Sequence, residues 1–372
     1  MSSPLLHRPG AVAQEGGSVA AHYGEPLPEQ RRLAEGAGLV DRSDRDVVAV
    51  PGADRLSWLH DLTSQHLREL PDATGTEALF LDPNGRVEHH AVLADLAGTT
   101  WLDVEAGTGE ALAGWLQRMR FMLRVEPALV TDAWAVLSLV GPQGDAVLAA
   151  AGRPVPDGAP YAVVPLPGGG LARRMPATGD GVPVVDLLVP RAELAARADE
   201  LLAAGAVLAG VDAYEALRVE ARRPRAGVDS DERTIPNEVE WLRTAVHLEK
   251  GCYRGQETVA RVHNLGRPPR RQVLLHLDGL SETLPAAGTP VTSGTREVGR
   301  VGSVVRHHEL GVIALALVKQ SVAQDAQLRV GDAVAAIDPD DAPRGPDADV
   351  AAARERVAAV RSANMRPRTT RS

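Results

Sequence analysis

Cysteine is almost absent from this chain: among 372 residues only Cys252 carries a thiol. A single thiol excludes an intramolecular disulfide and fits a reducing compartment. Long apolar runs are missing too. The longest, around 312–318 and 201–211, fall well short of the roughly 20 residues a bilayer span requires. The first thirty residues are broken by Pro4, Pro9, Glu15, Glu25 and Pro26 where a secretory peptide is apolar. No membrane partner and no export by that route are expected, and the expected location is cytoplasmic. Positive charge in excess is also lacking. The formal net charge of -9 argues against direct nucleic-acid binding, which normally uses a basic domain or stripe.

What the chain does have is 44% hydrophobic and 24% charged residues, the composition of a globular protein of two or three domains. Its one thiol sits in Lys250-Gly251-Cys252-Tyr253-Arg254-Gly255-Gln256-Glu257. Lys250 and Arg254 are expected to favour the thiolate. Gly251 and Gly255 allow a tight turn or a close approach, so the octapeptide reads as a presented loop. The alternative is a small buried hydrophobe. Arg218, Arg222, Arg223, Arg225, Arg254, Arg261, Arg267, Arg270 and Arg271 crowd the same region, which suggests one basic patch for a polyanionic ligand or simply a solvated face.

Along the chain, the spacing of Leu56, Trp58, Leu59, Leu62 and Leu67 predicts a helix over 53–67. Asp82-Pro83-Asn84-Gly85 between the apolar runs 78–81 and 87–96 predicts a hairpin. Further helices are expected over 109–122, 144–151, 191–202 and 211–222, strands over 136–140 and 182–189, and a flexible glycine loop over 168–170. Gly299-Arg300-Val301-Gly302 lacks the following helix of a phosphate loop and reads as a turn. After Pro268-Pro269 the runs 273–277, 298–305 and 312–318 predict a small all-β module. From Asp341 onward too few large apolar residues remain to build a core. The interleaving without a regular period gives an α+β fold.

The octapeptide also resembles the KGCYxGQE motif of the YgfZ-type folate-binding proteins, within the GcvT-like aminomethyltransferase superfamily. Leu217-Arg218-Val219-Glu220, followed by Pro224, Gly227, Asp229, Thr234, Ile235, Pro236 and Glu238, resembles the segment preceding that motif. Leu39-Val40-Asp41-Arg42-Ser43, Val301-Gly302-Ser303-Val304 and Ala314-Leu315-Ala316-Leu317 resemble outer blocks of the superfamily. The resemblance implies two intertwined α+β subdomains around a central folate cavity over 22–268, a C-terminal β-barrel over 269–340, a flexible N-terminus over 1–21 and a disordered tail over 341–372. It further implies tetrahydrofolate or a derivative as cofactor, and iron-sulfur assembly or client proteins as partners, including tRNA-modifying enzymes. Cys252 is the expected functional thiol.

For the folate, the resemblance makes Glu220 the carboxylate for the pterin's amino-pyrimidine edge, with a surface pair to Arg218 or Arg222 as the alternative. Lys250, Arg254 or Arg261 would hold the glutamate tail. Gln256 and Glu257 would position a partner or brace the loop, and Tyr253 would stack or pack. His247 and His263 are near Cys252 in sequence, yet one thiol and two histidines lack zinc-site spacing, so no permanently bound metal is expected. Glycine-cleavage aminomethyltransferases carry two aspartates after the first hairpin glycine, whereas this chain reads Gly85-Arg86-Val87-Glu88-His89-His90. A folate-dependent aminomethyl- or methyltransferase is therefore the alternative reading. A folate-independent thiol redox enzyme is a third, disfavoured because no second cysteine resolves a mixed disulfide. The accessory role is favoured over one-carbon transfer.

Overall fold

The computed structural model describes residues 2–178, 181–265 and 267–341. Two sheets and a closed barrel organise the chain. The first sheet is ordered Val163–Pro165, Leu171–Met175, Val184–Pro190, Trp134–Val140, Gly38–Asp41 and Val207–Ala209; the second is Thr74–Leu81, Val87–Leu96, Thr99–Val104, Asp46–Pro51 and Ala128–Leu129. Gly38–Asp41 belongs to the first sheet, the next four strands and Ala128–Leu129 to the second, and Trp134–Val140 returns to the first. The chain thus crosses between the sheets twice: the strands of the second sheet come from the continuous stretch 46–129, inserted between Gly38–Asp41 and the remaining strands of the first. Central strands such as Val184–Pro190 are buried nearly throughout, as expected of apolar, β-branched runs covered on both faces.

Helix Leu194–Ala203 packs Leu194, Ala198 and Leu201 against Leu137, Leu139, Val185 and Leu187 of the first sheet. Helix Gly109–Met119 covers the second sheet through Leu112, Ala113 and Leu116, which join Val48, Phe80, Leu93 and Leu102. Helix Val211–Glu220 runs between the first subdomain and the barrel. Tyr214 and Leu217 lie in the core beside Val40 and Val184, while Val219 packs on Leu274, Ile313 and Leu315. The barrel closes in the order Arg270–Leu277, Gly311–Lys319, Arg296–His307, Pro290–Ser293, Leu328–Val330 and Ala333–Ile337. The Val301/Val304 bulge of its long strand opens room for Gly302, where a side chain would collide with Asp229. Asp229 accepts from the Ser303 amide at 2.7 Å and from Arg218 Nη1 at 3.0 Å. The 224–238 segment is thereby clamped to the barrel.

Three expectations need correction. Residues 2–21 are packed rather than flexible: Leu5 is fully buried, Ser3 Oγ donates to Asp41, and Val12–Ala13 pairs with Ala20–His22. The helix expected over 53–67 is confined to Arg55–Leu62, because Thr63 and Ser64 turn their hydroxyls onto the carbonyls of Leu59 and Ala245. Helix Val211–Glu220 stops short of Arg222, which adopts a φ of 57°. Of the expected tail, only Asp341 is described, and it is anchored by Arg222 and the Leu274 amide; residues 342–372 lie outside the described residues. No helix among the described residues is long and apolar enough to cross a membrane.

Candidate functional site

Side chains from both sheets converge on a central cavity lined by, among others, Arg42, Glu77, His90, Asp103, Tyr214, Arg223 and Trp241. Its walls are an ion-pair lattice. Arg45 Nε reaches Asp103 at 2.8 Å and its Nη1 reaches Glu105 at 2.8 Å. Arg173 bridges Asp103 at 2.6 Å and Asp186 at 3.1 Å, so one buried guanidinium joins the two sheets. Arg225 spans Glu105 and Glu215 at 3.2 and 3.0 Å, and Arg218 holds Glu215 at 2.8 Å. Burial alone would push these carboxyls up, yet the arginines outweigh it and hold Glu105 and Glu215 each down at about 2. Arg42 lies 4.4 Å over the Tyr214 ring and donates to its hydroxyl at 3.0 Å.

On the second-subdomain side the focal group is Glu77, from strand Thr74–Leu81 and only 6% exposed. His90 Nε2 stands 3.0 Å from Glu77 Oε2, Thr244 Oγ1 donates to the same oxygen at 3.2 Å, and the Tyr161 hydroxyl donates to Oε1. Burial opposes ionisation, but these donors and the Arg223 charge 3.9 Å away hold the Glu77 carboxyl at about 2. His90 stacks on Trp241 with ring centres 5.0 Å apart and an 18° tilt. Strand alternation sends its neighbour the other way: His89 meets the Phe80 edge at 6.4 Å, and burial pushes its pKa down.

The thiol loop lies against the same subdomain, with Cys252 exposed. Lys250 is turned inward and buried. Its ammonium donates to the carbonyls of His60, Thr63 (2.6 Å) and Gln65 (3.0 Å), closing the carboxyl end of helix Arg55–Leu62. Burial pushes its pKa down to about 8. Arg254 pairs with Glu88 at 3.0 Å and lies 6.0 Å over the Trp115 ring. Both cations expected beside the thiol therefore have other partners. Tyr253 is buried in a cluster with Leu79, Leu81, Trp241 and Val259, so Trp241 shares the core that holds the loop and also stacks on the cavity's His90. Gln256 Nε2 braces the loop by donating to Lys250 O at 3.2 Å, while Glu257 is exposed at the start of helix Gln256–Leu265.

Gly255 is sterically required, with φ 81° and a hypothetical Cβ 2.7 Å from Gly85 Cα; Gly251 is not, since a Cβ there would meet nothing within 4 Å.

The remaining expected folate residues are not brought to this cavity. Glu220 ends its helix with its carboxylate 3.5 Å from His307 Nε2, at the barrel interface. Arg261 is exposed on helix Gln256–Leu265. Lys250 and Arg254 are engaged as described, and neither lines the cavity. The expected basic patch is also largely neutralised: Arg218, Arg222, Arg225, Arg254 and Arg270 each sit in ion pairs, and Arg271 is spent on backbone carbonyls. Glu77 was not foreseen, although a lone carboxylate in the run Thr76-Glu77-Ala78-Leu79 was its available signal. Among the described residues no cluster of three or more histidine, cysteine or carboxylate groups is arranged to hold a metal.

The architecture matches known proteins part by part. Residues 21–162 match the GCVT N-terminal domain, and residues 270–344 match the CAF17 C-terminal beta-barrel domain. Through these two domains the chain is similar to the GcvT-like aminomethyltransferase superfamily. An aminomethyltransferase of Moorella thermoacetica is 29% identical over 315 residues, covering 81% of this chain and 83% of that protein. A chloroplastic protein of Arabidopsis thaliana, named provisionally as a transferase, is 25% identical over 325 residues, covering 81% of this chain and 70% of that protein. The glycine cleavage system aminomethyltransferase T from Bartonella henselae, a crystal structure, superposes with a TM-score of 0.78 at 22% identity, over 89% of this chain and 93% of that one. That likeness fixes the fold, with its two intertwined subdomains and closed six-stranded barrel.

Proposed function

We propose that this protein binds tetrahydrofolate or a derivative in its central cavity and supports the assembly or repair of iron-sulfur clusters, including those of tRNA-modifying enzymes, through Cys252. The observation that carries the reading is the solvent exposure of the only thiol on a loop whose two ends are fixed, by Lys250 on one side and Gly255 on the other. A thiol presented on a rigid support can meet a partner protein without first unfolding its loop. With no second cysteine in the chain, any lasting link or cluster ligation at Cys252 needs a group from outside.

The cavity chemistry suits a reduced pterin. Aromatic faces of Tyr214 and Trp241, carboxylates and the half-buried Arg223 offer stacking and charge-assisted hydrogen bonds. The void is about 80 Å³, far below the roughly 300 Å³ of a typical ligand pocket. Entry therefore requires a wall to move, and Arg223, held to Glu77 only at 3.9 Å, is the side chain with least to lose. When bound, a folate supplies a carrier for one-carbon units. Calorimetry with tetrahydrofolate tests this half of the reading: measurable heat is expected for the wild type and its loss for Trp241→Ala. Absence of heat in the wild type would remove the folate.

The transferase reading is favoured by one observation, the family likeness to aminomethyltransferases. It predicts turnover of a one-carbon donor that is lost on changing Glu88. Glu88, however, is 41% exposed and paired with Arg254 rather than lining the cavity.

A further inference from the structure

We propose that His90 is an acid-base residue of the central cavity, with Glu77 as its positioning residue, acting on the proton of an amine or thiol carried by the ligand bound there. The cavity's occupant rests on the folate reading; the dyad itself does not.

The geometry fixes which nitrogen is active. Glu77 is held ionised and can only accept, so the hydrogen between it and His90 belongs to Nε2, the donor 3.0 Å away. The other nitrogen, Nδ1, then carries the lone pair. The hydrogen bond seen for this ring among the described residues is the one at Nε2, the His90 side chain is 11% exposed, and it lines the cavity. The ring cannot turn away. Trp241 stacks on one face, and the Glu77 oxygen is itself fixed by Thr244 while its twin is fixed by Tyr161.

A base within reach of the ligand, oriented by a third group, is the arrangement general acid-base catalysis requires. The step balances simply: ligand N–H or S–H gives its proton to Nδ1, leaving the lone pair on the ligand atom. The imidazolium so formed is stabilised by the Glu77 charge, and the proton returns when the ligand atom regains it. The groups facing the pair from neighbouring elements are Tyr161, Arg223, Glu240, Trp241 and Thr244. Of these, Arg223 sits close enough to Glu77, at 3.9 Å, to temper its charge.

The test has two arms on the full-length protein. Nitrogen-resolved NMR of the His90 ring is expected to show the Nε2–H tautomer in the wild type and a mixture of tautomers in Glu77→Gln, whose amide can donate as well as accept. Calorimetry with tetrahydrofolate across pH 5.5–8.5 is expected to give a dissociation constant that depends on pH in the wild type and is flat in His90→Asn. An Nδ1–H tautomer in the wild type, or a tautomer unmoved by Glu77→Gln, overturns the dyad whatever the ligand. A binding profile unchanged in His90→Asn overturns its role toward the ligand. If the wild type shows no binding heat, the folate reading fails while the NMR arm still decides the dyad.

Discussion

Gly85 of the first hairpin and Gly255 of the thiol loop face each other so closely that a Cβ on Gly255 would lie 2.7 Å from Gly85 Cα, and one on Gly85 would lie 2.9 Å from Gly255 O. Both glycines have a φ near 80°, so each position is closed to other residues twice over, by sterics and by backbone conformation. This contact couples the cysteine loop to the hairpin whose outgoing strand carries His90 into the cavity.

Alanine at Gly255 is therefore expected to cost roughly 1–3 kcal/mol and to loosen the loop without changing the fold. Urea unfolding reads the first effect, and the rate of Cys252 alkylation, which should rise, reads the second. Unchanged values of both would show that the two backbones do not meet in solution.

Lys250 predicts a different kind of loss. Replacing it with methionine keeps the apolar stem but leaves the carbonyls of His60, Thr63 and Gln65 without their shared donor. A cost of about 2–4 kcal/mol follows, visible as a lowered urea midpoint. Arginine should rescue little, because its planar fork cannot converge three carbonyls on one nitrogen. By contrast Arg254→Ala, which breaks a pair on average two-fifths exposed, should change stability by less than about 1 kcal/mol.

Acid should open the cavity lattice. Glu77, Glu105 and Glu215 are each held at about 2 from an ordinary 4.5, so each binds its proton more weakly folded than unfolded. Their contribution is complete above about pH 4.5 and is lost as pH falls through 2, at most on the order of 3 kcal/mol per group. Unfolding free energy measured between pH 6 and 2.5 should drop steeply below 4.5, and less steeply in Glu77→Gln. A flat profile would contradict the lattice.

Glu220→Ala should leave tetrahydrofolate binding heats unchanged, because its carboxylate faces His307 at the barrel rather than the cavity. Loss of heat in that variant would restore Glu220 as the pterin contact.

Local chemistry made much of the architecture legible before any coordinates. Asp82-Pro83-Asn84-Gly85 dictates its own turn, with Asp82 Oδ1 accepting from the amides of Asn84 and Arg86 at 2.7 and 2.8 Å. The barrel strands follow from their β-branched runs, and exposure of Cys252 follows from its polar, glycine-flanked setting. What stayed hidden depends on partners distant in sequence. The arginines around 218–225 read as a basic patch because Glu105 and Asp338, which neutralise Arg225 and Arg222, are contributed by other elements. Lys250 read as a ligand for anions because nothing local shows a helix end waiting for it. Glu77 gains its meaning only when His90, Tyr161 and Thr244 are folded around it.

In the proposed function the Cys252 thiol acts together with the cavity in sustaining iron-sulfur proteins. The most direct test of that claim is complementation of cells lacking their own protein of this type, scoring the activity of a cluster-dependent tRNA-modifying enzyme. Wild type should restore that activity and Cys252→Ser, equally folded and abundant, should not. Full restoration by Cys252→Ser would contradict the claim.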